Sequence, residues 1–159
     1  MKQRKTWREK LLDNKGLPRI EKISDKMSRH WGRGTVVIPA PMEVAEIMQK
    51  IPKGKLITIN GIRAVLAERH GATIGCPMTT GIFVWIAARA AHEAVCQGRK
   101  KIVPYWRTLK SGGELNPKYP EGIEGQKSRL ESEGHRVVQK GKRYFVENYE
   151  MYRARAAKR

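Results

Sequence analysis

The sequence predicts an α/β fold, mainly helical: a winged helix-turn-helix domain with a short C-terminal β-hairpin. Two consecutive helical patterns, separated by Gly71 and a short connector, indicate the helix-turn-helix. Two β-rich runs, 137–139 and 143–146, surround a Lys-Gly-Lys turn and predict a hairpin with a basic tip. The chain has 159 residues, of which 40% are hydrophobic, and this suffices for one modest core.

The first elements of the domain follow from a β-branched run and from the proline after it. The stretch "GTVVIPAP" at 34–41 predicts a short strand or an extended connector. Pro41 then opens a helix, because the fixed φ of proline suits the first helical position and apolar residues recur three and four positions apart after it. This helix ends before "PKGK".

The next two helices form the predicted helix-turn-helix. The first covers 58–71, with Asn60 as its N-cap and a glycine at its end. The second begins at Thr79 or Thr80 and extends to about residue 97. It is rich in alanine, and small side chains permit close approach either of neighbouring helices or of the floor of a DNA groove. Both interpretations stay open at this point.

Two stripes of side chains are predicted on this alanine-rich helix. One stripe is expected to belong to the core: Phe83, Ala87, Ala90 and Ala94. The other is expected to face a ligand: Trp85, Arg89, His92 and Cys96.

The chain divides into three predicted regions. Residues 1–40 form a basic arm with a short strand, 41–148 form the winged helix domain, and 149–159 form a basic tail or short helix. Within the domain, a surface loop follows residue 110 and a helix covers 121–133. The arm is expected to dock through a few apolar residues: Trp7, Leu11, Leu12, Met27 and Trp31.

The charge of the chain indicates a polyanionic partner. It has 33 Lys and Arg against 15 Asp and Glu, a net charge of +18, so nucleic acid is the expected partner and a merely solvated basic surface is the alternative. No secretory signal or membrane span is recognised, and Cys76 and Cys96 do not make a disulfide framework. We therefore expect a cytoplasmic protein, a monomer, without membrane association.

The stretch "IVPYWRTLK" places two aromatic rings between a proline and a guanidinium: Pro104, Tyr105, Trp106 and Arg107. Such a loop is suited to holding something flat or anionic. The sequence from "IPKGKLIT" through this stretch to "LESEGHRV" resembles the DNA-binding domain of the O6-alkylguanine-DNA alkyltransferase family. The resemblance covers about 42–138 and implies a winged helix-turn-helix that binds DNA.

The aromatic loop departs from this family at the reactive positions. Tyr105 stands where the family has its methyl-accepting cysteine, and Trp106 stands where it has the histidine that activates the thiol. A phenol with a pKa near 10 is a poor methyl acceptor at neutral pH. The chain therefore resembles the alkyltransferase-like branch, which binds O6-alkylguanine in double-stranded DNA without repairing it and passes it to excision-repair proteins. No cofactor is implied.

The resemblance also implies roles for individual residues. The helix enters the minor groove and the damaged base flips into a pocket formed by residues 104–107. Arg89 is the candidate for the arginine that fills the vacated space, and Thr58 for a residue that contacts the phosphate. Glu133 matches a family glutamate that supports the site. The remaining expected DNA contacts are Thr79, Thr80, Gly81, Lys140 and Lys142.

Other kinds of site are also considered. A zinc site would combine His70, Cys76, His92 and Cys96, but their spacing matches no common pattern. An enzyme acting on a flipped base would use Glu114 to activate water or Cys76 as a displaced methyl acceptor. A winged-helix transcription regulator would instead read the major groove with the helix at 79–97.

Overall fold

The described part of the chain, residues 5–154 of a computed structural model, is a mixed α/β fold of six helices and seven short strands. The helices are α1 (Trp7–Leu12), α2 (Asp25–Trp31), α3 (Pro41–Gln49), α4 (Ile59–His70), α5 (Pro77–Cys96) and α6 (Gly122–Ser132). The strands are β1 (Arg19–Lys22), β2 (Thr35–Ile38), β3 (Ile57–Thr58), β4 (Ile74–Gly75), β5 (Thr108–Leu109), β6 (Val137–Lys140) and β7 (Arg143–Val146). Short 3-10 turns cover Tyr105–Arg107, Ser111–Gly113 and Tyr149–Tyr152.

The two helices predicted at 58–71 and 79–97 are present as α4 and α5, but the prediction is wrong at both helix starts. Thr58, not Asn60, is the N-cap of α4, because its hydroxyl accepts the Gly61 N–H at 3.1 Å. Helix α5 begins at Pro77. Proline is favoured in the first turn because it lacks a backbone N–H, and an N–H at this position would have no partner within the helix. The helix α4 ends at Gly71 as predicted, and this glycine adopts a left-handed conformation, with φ of 65°.

The connection between α4 and α5 is tightly packed against α4. Arg63 donates its Nε–H to the carbonyl oxygen of Gly75 at 2.8 Å. A Cβ atom at Gly75 would lie 2.7 Å from the Arg63 carbonyl oxygen, so only glycine permits this approach. The turn between the two helices is thereby held at a defined position on α4.

The N-terminal segment is integrated into the fold by a sheet. Strand β2 pairs antiparallel with β1 and parallel with β4, which lies in the turn between α4 and α5. Of the predicted docking residues, Leu11 is buried in the main core, and Met27 and Trp31 pack on a small cluster beside β2. Leu12 is 54% exposed, so the expectation that it anchors the segment is wrong. Residues 1–4 and 155–159 of the predicted arm and tail lie outside the described residues.

Helix α5 passes through the main core with its small residues inward. Its buried side chains are Thr80, Val84, Ala87, Ala88 and Ala91. The buried stripe is therefore rotated from the predicted one, and Phe83, Ala90 and Ala94 lie at its margins. Because Ala87, Ala88 and Ala91 are covered by protein, they permit close approach of neighbouring elements and not of a DNA groove.

A second core lies under the C-terminal hairpin. It consists of Leu56, Leu109, Leu115, Leu130 and Val146. The hairpin has the predicted form, with Val137 opposite Val146 and Lys140 opposite Arg143, and its strand β6 packs on α6. Among residues 5–154, no helix has the length and apolar character needed to span a bilayer.

His135, buried beside this second core, gives a pH-dependence that can be tested. Its ring is 5% exposed, neither ring nitrogen has a hydrogen-bond partner, and it lies edge-on to Tyr152 at 4.8 Å. Burial lowers the pKa of His135 below its ordinary 6.5. The unfolded chain therefore binds the proton more readily, and stability falls as the pH drops below about 6.5.

We expect His135→Phe to reduce this loss of stability between neutral pH and about pH 5, because phenylalanine keeps the contact with Tyr152 but takes up no proton. The measurement is urea unfolding at a series of pH values, with His30→Gln as the exposed control. The same pH-dependence in wild type and His135→Phe would contradict the assignment.

Candidate nucleic-acid interface

A cavity of about 410 Å³ opens beside the first half of α5. We refer to it as the α5 cavity, and its volume lies in the range of about 300–1,000 Å³ typical of small-ligand pockets. It is lined by Ile59, Met78, Gly81, Ile82, Trp85, Lys110, Asn116, Pro117 and Lys118. Three parts of the chain therefore meet here: the start of α4, the first half of α5 and the loop before α6.

The lining of the α5 cavity combines an apolar wall with two cations. Met78 is 67% exposed and Ile82 is 50% exposed, which is unusual for large apolar side chains on adjacent turns of one helix. Trp85 adds a flat aromatic surface, and Lys110 and Lys118 supply positive charge. An apolar wall with an aromatic ring and nearby ammonium groups is suited to a flat, apolar ring attached to an anion.

Trp85 is held in place by hydrogen bonds to the loop before α6. Its Nε1–H donates to the carbonyl oxygen of Lys118 at 3.2 Å. Arg89 donates from Nη2 to the same oxygen at 3.4 Å, and its guanidinium lies 5.7 Å from the Trp85 ring. The loop that closes one side of the cavity is therefore fastened to α5.

The predicted lesion pocket is placed differently by the structure. None of Pro104, Tyr105, Trp106 and Arg107 lines the α5 cavity. Tyr105 is only 1% exposed and packs edge-on against Trp106 at 5.4 Å and against Tyr119 at 5.3 Å. The 3-10 turn directs the Tyr105 ring into the main core, so contact with an extruded base would require the ring to leave this packing, and that role stays a prediction.

Tyr105 is also chemically unsuited to accept an alkyl group. Burial raises the pKa of its phenol above the ordinary 10.0, and the nearby Arg129 only partly opposes this shift. The hydroxyl therefore stays protonated at neutral pH. Its role in the structure is to fill the core beside α5.

Trp106 and Arg107 are engaged by Glu133 at the end of α6. The Glu133 carboxylate accepts the Trp106 indole N–H at 3.0 Å and bonds of 2.7 and 2.9 Å from the Arg107 guanidinium. The same guanidinium donates to the Ile51 carbonyl oxygen at 2.7 Å. The Glu133 side chain is 6% exposed and that of Arg107 14%. This cluster connects the aromatic turn to the ends of α3 and α6.

The charge state of Glu133 follows from these contacts. Burial alone would raise the pKa of Glu133, but the hydrogen bonds from Arg107 and Trp106 and the guanidinium charge outweigh it. The net pKa lies below the ordinary 4.5, so the carboxylate is ionised at neutral pH. Sequence reasoning placed Glu133 in a supporting role, and in the structure it supports the 105–107 turn.

The other predicted DNA contacts are spread over the surface and the core. Gly81 lines the α5 cavity, whereas Thr58 caps α4. Thr80 is fully buried and its hydroxyl has no partner, so contact with DNA would require its surroundings to open, and that role stays a prediction. Thr79 is partly exposed, but its hydroxyl oxygen is buried as well.

The basic residues among the predicted DNA contacts differ in solvent exposure and in the contacts they already make. Lys140 and Lys142 are exposed at the end of the hairpin, and Lys140 lies 5.6 Å from the Phe145 ring. Arg89 is half-buried against Trp85 and the Lys118 carbonyl, so its predicted insertion into the duplex would require these contacts to break. That role stays a prediction.

The residues considered for the alternative chemistries lie in different surroundings within the described part of the chain. Among residues 5–154, no group of three or more His, Cys, Asp or Glu side chains is placed to hold a metal ion. His70 pairs with Glu43 at 2.6 Å and Cys76 is buried beside β2, away from the other proposed zinc ligands. Glu114 lies between Lys110 and Arg143, at 3.9 and 4.0 Å, and does not line the cavity.

Sequence reasoning missed most of the α5 cavity. The overlooked residues include Ile59, Met78, Ile82, Lys110 and the Asn116–Pro117–Lys118 segment. A signal was present: Met78 and Ile82 lie one turn apart and outside the buried stripe of α5. Their exposure becomes evident only when it is known which side of α5 faces the core.

The sequence matches no protein-family model and no curated protein. Two solved structures from S. pombe are similar to this chain. One is Atl1 in complex with damaged DNA containing O6-carboxymethylguanine, with 23% identity and a TM-score of 0.48. The other is ATL in complex with DNA, with 22% identity and a TM-score of 0.47. In both cases the similarity covers 72% of this chain and 94% of the other.

The Glu133 cluster predicts an acid-sensitive contribution to stability. We expect Glu133→Gln to lower the free energy of unfolding at pH 7 by about 3 kcal/mol, because it leaves the Arg107 charge without its buried partner. Since the folded pKa of Glu133 is depressed, the carboxylate stabilises the fold above pH 4.5 and this contribution is lost as the pH falls further.

Denaturant unfolding of both proteins between pH 7 and pH 3 measures this contribution. The difference between wild type and Glu133→Gln should shrink toward the acid end. Glu131→Gln, at an exposed position of the same helix, is the matched control and should leave stability unchanged. A difference of the same size at every pH would contradict the ion-pair assignment.

Proposed function

We propose that this protein binds double-stranded DNA and holds a modified guanine, extruded from the duplex, in the α5 cavity without removing the modification. The observation that supports this most directly is the cavity itself. It offers an aromatic ring, an apolar wall and two lysines within about 410 Å³, beside a helix whose first half carries the exposed side chains of Met78 and Ile82. A purine base and its phosphate match this combination of apolar and cationic surface.

The charge of the chain supports DNA as the partner. A net charge of +18 favours binding to phosphates through release of counterions. Lys110 and Lys118 lie at the cavity, and Lys140 and Lys142 lie at the hairpin tip. In the proposal the hairpin acts as a wing whose lysines contact the backbone of any duplex, whereas the cavity selects the base.

Met78 and Ile82 support extrusion of a base from the minor groove. Proteins of that groove often insert apolar side chains between base steps, and this unstacks the bases. Met78 and Ile82 are the large exposed apolar side chains of α5 that line the cavity. In the proposal one of them occupies the space that the extruded base leaves, since Arg89 is already bonded to the Lys118 carbonyl.

The positions of the nucleophiles support binding without transfer. The two cysteines of the chain lie apart from the cavity: Cys76 is buried beside β2, and Cys96 is exposed in the last turn of α5. Tyr105 is buried and its pKa is raised. A lesion held in this way stays in the DNA, so the proposal includes excision-repair proteins as the partners that act next, with the protein itself a cytoplasmic monomer.

The first test is the ratio of affinities, at fixed salt, for a duplex with one O6-methylguanine and for the same duplex unmodified. We expect tighter binding to the modified duplex, with the masses of protein and DNA unchanged afterwards. Trp85→Ala should reduce this preference, because stacking on an aromatic side chain contributes about 1–3 kcal/mol per base. Trp31→Ala, a half-buried tryptophan away from the cavity, is the control.

Several outcomes would contradict the proposal. Equal affinity of the wild-type protein for the two duplexes would exclude lesion recognition of this base. Affinity that follows base sequence would favour a transcription regulator, and a methylated protein or a released base would show an enzyme.

The hairpin lysines should affect all duplexes alike. We expect the double substitution Lys140→Ala and Lys142→Ala to weaken binding of modified and unmodified DNA equally and to reduce the slope of log K against log salt by about 1 per lysine removed. Salt titrations of binding measure this slope, and the charge-preserving pair Lys140→Arg and Lys142→Arg should retain it. A selective loss for the modified duplex would place the hairpin at the lesion instead.

A further inference from the structure

We propose that the N-terminal helix α1 positions Trp85 through Trp7 and thereby sets how well the α5 cavity distinguishes a modified base. This inference rests on the function proposed above for the cavity. Trp7 does not line the cavity, and it acts through Trp85. It is therefore a positioning residue, supplied by a segment that precedes the helix-turn-helix.

Trp85 is held from three directions. The ring of Trp7 meets it edge-on, with 4.9 Å between ring centroids and 78° between ring planes. The Lys118 carbonyl oxygen accepts its indole N–H, and the Arg89 guanidinium lies near its ring. The same side chain lines the cavity. The edge-on contact is the only one of the three that comes from the N-terminal segment.

Helix α1 is attached to α5 by contacts that leave Trp7 little freedom. The carboxylate of Glu93, eight residues after Trp85 on α5, accepts the backbone N–H of Trp7 at 3.2 Å and that of Arg8 at 3.3 Å. Leu11 is buried in the main core on the next turn of α1. Thr6 and Glu9 form a capping box at the start of α1. The N-terminal segment is thus bound to α5 at both ends of α1.

A fixed aromatic wall matters for selectivity more than for general affinity. Stacking of a base on Trp85 contributes its full binding free energy only if the indole already lies in the required orientation. Ordering a mobile side chain on binding would cost part of that free energy. The contacts proposed between the hairpin lysines Lys140 and Lys142 and the backbone of any duplex do not depend on this orientation, since these lysines lie at the hairpin tip, away from Trp85. Loss of the Trp7 contact should therefore lower the preference for a modified base and leave binding to ordinary duplex nearly unchanged.

The test compares Trp7→Ala, Trp7→Phe and Trp31→Ala in the full chain. For each variant, affinities are measured for a duplex with a single O6-methylguanine and for the unmodified duplex. We expect Trp7→Ala to lower the ratio roughly three- to tenfold, the size of an aromatic pair contact, with less than about a twofold change for the unmodified duplex. Trp7→Phe should restore most of the ratio, and Trp31→Ala should preserve it.

A second measurement examines Trp85 without DNA. The indole N–H signal of Trp85 is identified in a ¹⁵N NMR spectrum by its absence in Trp85→Phe. We expect it to exchange faster with water in Trp7→Ala, but not in Trp31→Ala, because an indole that is free to reorient breaks its hydrogen bond to the Lys118 carbonyl more often. This readout reports the orientation of Trp85 whether or not the protein recognises a lesion.

The two measurements separate the possible failures. If wild type prefers the modified duplex and Trp7→Ala keeps the same ratio, the inference about Trp7 is overturned and the proposed function stands. If wild type has no preference but the Trp85 signal responds to Trp7→Ala, the positioning contact stands and the proposed function fails. An unchanged exchange rate of the Trp85 indole N–H in Trp7→Ala overturns the inference directly.

Discussion

The packing of small residues along one side of α5 is the constraint on which the rest of the structure depends. Ala87, Ala88 and Ala91 are buried, so neighbouring elements approach the helix backbone closely. Tyr105 belongs to the same core, where its large ring compensates for small neighbours. Once this side of α5 faces inward, Met78, Ile82 and Trp85 necessarily lie on its other faces. The cavity wall is thus a consequence of how the core is filled.

Two polar contacts then determine which loop forms the site. The Glu133 carboxylate holds Trp106 and Arg107 against the ends of α3 and α6, which fixes the aromatic turn beside the core. The Lys118 carbonyl holds the loop before α6 against Trp85 and Arg89. Both contacts use charged or indole N–H donors, which are costly to leave unpaired when partly buried. A cavity between α5 and this second loop is the result.

Features encoded by neighbouring residues were predictable. The glycine at the end of α4, the proline at the start of α3 and the Lys-Gly-Lys turn of the hairpin each favour one backbone conformation over a few positions. The N-cap of α4 was misassigned because Thr58 and Asn60 are both good capping residues, and only the actual hydrogen bond to Gly61 distinguishes them. Similarly, Leu12 has the same apolar character as Leu11 but lies on the exposed side of α1.

The sequence by itself determined the helices between 41 and 133, the hairpin with its basic tip and the strongly positive charge, because these depend on local conformational preferences and on simple composition. It did not determine α1, β1 and α2, which are short and are stabilised by contacts with the rest of the fold. Only the tertiary structure decided that Tyr105 lies in the core and that Met78, Ile82 and Trp85 form a cavity with Lys110 and Lys118. The residues that line this cavity are separated by up to 59 positions, from Ile59 to Lys118. Their proximity follows from the rotation of α5 about its axis. This rotation is determined by which of its side chains fit the limited volume of the core.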